Sequence, residues 1–163
     1  TEIYQGGNQS RYALWYRTLP SSPPSTYSFT HATDRPKGIM VSYDPDGGSV
    51  DGVTYSTGKL DESNPATTNA VTGVADPSVL LAFWGQDSAV TISTGPSGMT
   101  LLAFDGATGP TISVGAHYQV NPGTGSLTKQ ITWSAADETG CILVLIDEAG
   151  AAAGNPWYAY AQQ

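Results

Sequence analysis

Residues 79–84 read VLLAFW and residues 141–146 read CILVLI. Each run is six residues long, apolar at every position, and bounded by Gly, Ser or Asp. Runs of that length are strand-sized and too short for a buried helix. Since neighbouring side chains on a strand point to opposite faces, a strand that is apolar on both must be covered on both. The two runs are therefore expected as central strands of two packed layers.

Other strand signals lie around these two at short intervals, separated by Gly, Pro, Asn and Asp. They fall near residues 11–18, 26–31, 38–43, 52–56, 67–72, 78–85, 89–93, 99–104, 111–120, 126–133 and 140–147, with a last one over 157–161. In SLTKQITW (126–133), Leu127, Lys129, Ile131 and Trp133 alternate onto one face, as in a half-buried strand. No segment keeps a 3.6-residue apolar period. At most, 135–139 and 149–153 could form single helical turns. The expectation is an all-β chain: an antiparallel β-sandwich, jelly-roll-like, over residues 11–150. Extended arms are expected at 1–10 and 151–163.

Composition agrees. Charged residues are 12% of the 163, against about 25% in ordinary globular domains, and there are 19 Gly and 11 Pro. The net charge is −8, and the six cations, Arg11, Arg17, Arg35, Lys37, Lys59 and Lys129, are scattered. Without a basic stripe to neutralise phosphates, nucleic-acid binding is not expected. No apolar run is long enough to cross a bilayer as a helix, and no membrane association is expected. The opening TEIYQGGNQS has neither a basic segment nor an apolar run, so it is not read as a secretory leader, and synthesis in the cytoplasm is expected. Cys141 is the single cysteine and lies inside CILVLI, where an inert buried thiol is expected.

The segment YRTLPSSPPSTYSFTHATDRPKGIMV (16–41) can be laid without gaps on YQVNPGTGSLTKQITWSAADETGCIL (118–143). Tyr16 falls on Tyr118, Pro20 on Pro122, Thr30 on Thr132 and Gly38 on Gly140. Residues 11–47 thus read as a partial repeat of 113–149 that lacks its early strands. Such strands need partners elsewhere in the chain or on another molecule.

The run SVLLAFWGQDSAVTISTGPSGMTLLAFDG (78–106), followed by TISVGAHYQVNPGTGSLTKQITWSAADETGCILVLIDEAG (111–150), resembles β-sandwich domains of bacteriophage virion and tail-associated proteins, with relatives among bacterial surface proteins. The shared pattern is the apolar strand at Leu80–Phe83, the turn and strand at Pro96–Leu101, the strand Ala116–Val120 and the apolar strand Cys141–Ile146. Met99 stands where such domains often carry Trp. These are packing motifs, and no catalytic residue comes with them. The resemblance implies a structural or adhesive role in a virion. The partners would then be other virion proteins, such as a major capsid or tail protein, with a homo-oligomer on the particle.

Candidate sites follow from residue chemistry. Asp44, Asp46 and Asp51 surround a Gly pair and could converge on calcium, although the spacing is not that of an EF-hand. A turn capped by Asp side chains needs no ion, and no metal or other cofactor is expected. Asp137–Glu138 and Asp147–Glu148 read as solvated acidic pairs at strand ends. His31 and His117 lack a third ligand in any metal spacing, and one is expected at the surface and one packed. No P-loop, G-x-S-x-G or H-E-x-x-H is present, so catalysis is not expected. Aromatic residues remain. Ile3, Tyr4, Trp157, Tyr158 and Tyr160 are candidate arm contacts on neighbouring subunits. Trp15, Tyr27 and Tyr55 could instead face a ligand, as in a carbohydrate- or receptor-binding module.

Overall fold

A computed structural model describes residues 37–45, 49–74, 77–106 and 112–148, together with the backbone of 2–6, 12–15, 149 and 157–162. The described residues hold fifteen strands and no helix. In chain order these are β1 (Glu2–Gly6), β2 (Tyr12–Trp15), β3 (Gly38–Tyr43), β4 (Ser49–Tyr55), β5 (Lys59–Asp61), β6 (Ala66–Thr67), β7 (Val71–Gly73), β8 (Ser78–Gln86), β9 (Ile92–Thr94), β10 (Thr100–Asp105), β11 (Ser113–Val120), β12 (Gly125–Leu127), β13 (Gln130–Trp133), β14 (Thr139–Ala149) and β15 (Trp157–Gln162). Every described pairing is antiparallel. The chain is an all-β, sandwich-like fold.

The centre is a six-stranded sheet in the order β10-β11-β8-β14-β4, with β5 also on β14. VLLAFW and CILVLI are neighbours in it, with Leu80 opposite Leu145, Leu81 opposite Val144 and Ala82 opposite Leu143. Their two apolar faces go to two different cores. Leu80, Ala82, Trp84, Cys141, Leu143 and Leu145 pack with Ala66, Val71, Val90, Ile131 and Trp133 of the short strands and loops that form the second layer. Leu81, Val144 and Ile146 point the other way and meet Val41 and Tyr43 of β3, Val53 of β4 and Leu102 of β10. β3 pairs with β15, from Trp157 opposite Tyr43 to Gln162 opposite Gly38. This ribbon makes a third layer, formed by two segments more than a hundred residues apart. The full hydrophobicity of the central runs is thus explained by cover on both sides.

The second layer is broken where one strand was expected. Over 126–133 the chain pairs first with β7, as β12, and then with β6 and β9, as β13. The gap falls at Thr128 and Lys129. An ammonium on the apolar face would be buried without a partner. Instead the Lys129 backbone N–H donates to Thr68 Oγ1, and its Nζ donates to Ser97 O (2.9 Å) and Gln119 Oε1 (2.5 Å). Residues 67–72 likewise divide, into β6 and β7. Residues 135–138 hold no helical turn and bend directly into β14.

Two local devices set the sheet's outline. Between β4 and β5, three residues (Ser56, Thr57, Gly58) face two on β14, a bulge that keeps β4 and β5 on one partner. Ser56 spans it: its N–H donates to Leu143 O (2.9 Å), and its Oγ accepts from Leu143 N (3.0 Å). Before β10, Met99 N donates to Pro96 O (3.1 Å) across a turn whose third residue is Gly98, at φ +73°. That backbone suits glycine and makes Pro-x-Gly a turn signature.

Of the expected repeat, β2 and β3 fall opposite β11 and β14 in the alignment, and residues 26–31 lie outside the described residues. β2 pairs with β1 and β3 with β15, whereas β11 and β14 both pair with β8.

Candidate functional site

Buried polar groups are the places to look for chemistry, since each must be satisfied or used. His117 sits mid-strand on β11, opposite Ala82 and Leu101, on the face turned to the second layer. It is 3% exposed, and its Nδ1 has no partner. The Gly95 turn closes over it: a Cβ on Gly95 would stand 3.3 Å from Nε2. Burial lowers its imidazole to about 4, so His117 is neutral near pH 7. This is the packed histidine expected from sequence. His31 lies outside the described residues.

Cys141 is buried between the layers, its Sγ 3.5 Å from Thr67 O. Burial pushes its thiol up to about 12, which removes the thiolate a nucleophile would need.

The acidic pairs divide. Asp137 is exposed in a turn, where it bonds the Ser88 hydroxyl. Asp147 and Glu148 belong to the end of β14, and Glu148 is buried, with Oε1 unpartnered and its carboxyl raised by burial. The solvated-turn expectation is therefore corrected for Glu148. β14 runs on past Ile146 beside β4, placing Glu148 opposite Val50 at a bulge.

Asp61 was not singled out in the sequence, yet it organises a corner. Burial raises its carboxyl, but hydrogen bonds from Lys59 Nζ (2.7 Å), Ser63 and Thr67 N outweigh this and hold it well below the usual range. Next to it, Asn64 donates to Trp133 O and accepts from Trp133 N, which joins the corner to β13. Ser113 is a second such node. Its Oγ accepts from Val90 N (2.9 Å) and lies 2.7 Å from Ser88 O, to which its one proton goes. These groups hold strands together and do not converge on one cleft.

The candidate cation loop is described only in part. Asp44 and Asp51 are exposed, Asp46 lies outside the described residues, and the described residues hold no group of three metal-binding side chains.

The aromatic candidates lie on strands. Tyr55 ends β4 and is 43% exposed; Leu101 on β10 is 50% exposed, and Val50 and Met40 are exposed as well. β4 and β10 are the outer strands of the central sheet among the described residues. Trp157, Tyr158 and Tyr160 lie on β15, opposite Tyr43, Ser42 and Met40. Ile3 and Tyr4 lie on β1, whose partner β2 places Trp15 opposite Glu2. The side chains of these six terminal and near-terminal positions, and the whole of Tyr27, lie outside the described residues. No helix among the described residues is long and apolar enough to cross a membrane.

No family model matches the chain, and comparison with curated proteins and with solved structures finds no match.

Proposed function

We propose that the chain is a non-catalytic structural protein of a bacteriophage particle. On this reading it is a capsid decoration or cement protein, or a tail or fibre surface component, that clamps neighbouring subunits. One observation carries the reading. Buried hydroxyls such as Ser56 and Ser113 join strands, while large apolar side chains stand exposed on strands β3, β4 and β10. Rigid layers with apolar margins suit a molecule whose work is contact. The β-sandwich resemblance supports the same reading, and so does a net charge of −8, which keeps the free protein soluble. Partners would be other virion proteins, with further copies of the chain beside it on the particle.

Exposed Tyr55, with Asp51 on the same strand, favours one alternative: a carbohydrate- or receptor-binding module. Solution mass over a range of concentrations, with a glycan screen, separates the two. Concentration-dependent assembly, or immunolabelling of intact particles, is the expected result. A monomer at every concentration that binds a glycan and labels no particle overturns it.

A further inference from the structure

We propose that Lys37 and Asp105 become joined by an isopeptide bond, an amide between Nζ and Cγ that ties the start of β3 to the end of β10. Lys37 Nζ lies 3.1 Å from Asp105 Oδ1, and the two side chains are only 14% and 8% exposed. The other described ion pair, Lys59 with Asp61, is two residues apart along one strand. Lys37 and Asp105 are 68 residues apart and belong to different layers.

The pair is poorly provided for as an ion pair. Asp105 Oδ2 is buried without a partner, although a carboxylate wants donors on both oxygens. A buried ion pair gains enough from attraction only when its remaining hydrogen-bonding capacity is filled. An amide removes both charges and leaves one donor and one acceptor to satisfy.

The two groups are also fixed in place. Asp105 pairs with Val114, and Gly106 after it is buried against Phe104, whose ring occupies the space a Cβ would need. Lys37 directly precedes β3, which is held by β15 and by the packing of Val41 and Tyr43. Holding the two reacting groups together makes the step intramolecular, which raises its effective concentration.

The step needs no oxidant and no cofactor. A proton passes from Nζ to the carboxylate, and the neutral amine attacks Cγ. The Cγ–N bond forms and a Cγ–O bond breaks. That oxygen leaves as water, taking a second proton from nitrogen. Ammonium and carboxylate thus become amide and water. With a single cysteine, the chain has no internal disulfide to serve the same purpose. The bond concerns the fold alone and stands or falls apart from the virion reading.

Intact mass of the purified chain, measured denatured, is expected to be one water below the sequence mass. Trypsin cuts after Lys and Arg but not at Arg35, which precedes Pro36. An unlinked chain therefore releases peptides 18–37 and 38–59. The linked chain resists cutting at Lys37 and gives one branched species joining 18–59 to 60–129, and Lys37→Arg abolishes it. Full sequence mass overturns the proposal. So does a mass one water low with peptide 18–37 released, since the water would then have been lost elsewhere, as when Asp46, Asp51 or Asp105 cyclises onto the nitrogen of the glycine that follows it.

Discussion

The two faces of the central sheet are built differently. Toward the second layer, the sheet buries Leu80, Ala82, Trp84, Cys141, Leu143 and Leu145 against side chains that are themselves buried. Toward the β3–β15 ribbon, the buried cluster is Leu81, Val144 and Ile146, and the side chains packed against it, Val41, Tyr43 and Val53 among them, are only partly buried. Close packing raises the cost of any void, because enclosed neighbours cannot move in to fill it. The first face should therefore be rigid and the second adjustable.

Leu80 and Leu81 make the sharpest test, because they are the same residue on the same strand with opposite faces. Leu80 is 0% exposed and Leu81 is 5%. We expect Leu80→Ala to cost about 4 kcal/mol and Leu81→Ala about 2 kcal/mol in denaturant unfolding, within the range for buried leucines. Equal costs would mean that the ribbon is as closely packed as the second layer.

His117 tests the first face by pH. Its imidazole is lowered by burial to about 4, from an ordinary 6.5. The unfolded chain therefore binds the proton first, and stability is complete above pH 6.5 and falls as pH drops toward 4. The loss is at most about 3 kcal/mol over that window. Melting of wild type and His117→Leu between pH 7 and pH 4 should show the drop only in wild type. Glu148, raised by burial, acts in the opposite sense, losing stability as pH rises through its range, and it is common to both proteins. Asp61, held low, adds a loss that begins only as pH falls into the usual carboxylate range, and it too is common to both proteins.

Ser56 tests how the edge is attached to the centre. Ser56→Ala removes the acceptor for Leu143 N–H, a buried donor at the bulge. The expected loss is about 2 kcal/mol, with faster amide exchange at Leu143. Ser56→Thr, which keeps the hydroxyl, should recover most of it.

Removing residues 155–163 deletes β15 and tests the ribbon itself. The penalty of Leu81→Ala should then shrink by about 1 kcal/mol, while that of Leu80→Ala stays unchanged. If both shrink together, the faces are not independent.

The sequence disclosed the centre well and the margins less well. VLLAFW and CILVLI could be read as central strands because cover on both faces leaves no polar position along them. Their relationship as hydrogen-bonded neighbours was not readable, since pairing depends on register between distant segments. The break at Lys129 was missed because alternation alone suggested one strand. The lysine on the apolar face was the available signal. β5 was missed because Lys59, Leu60 and Asp61 carry no strand pattern and are held by β14 and by the carboxylate of Asp61. Burial of Glu148 left no trace in a sequence where DE resembles a strand end. Among the aromatic candidates, Tyr55 is exposed, and β15 pairs with its own chain's β3.

The smallest expected effect on stability separates contact from folding. Tyr55→Ser and Leu101→Ser remove half-exposed apolar side chains from the two outer strands. Surface changes of this kind alter stability by about 0.5 kcal/mol or less. A core role would instead give a loss comparable to that of Leu81→Ala. If these margins are contact surfaces, the double variant should melt like wild type yet fail to assemble at concentrations where wild type does. If it assembles equally well, the exposed strands are not the contact surface, and the terminal strands β1 and β15 become the elements to test. Reduced melting without altered assembly would instead show that Tyr55 and Leu101 serve the second and first cores from their edges. The apolar margin would then have no part in binding.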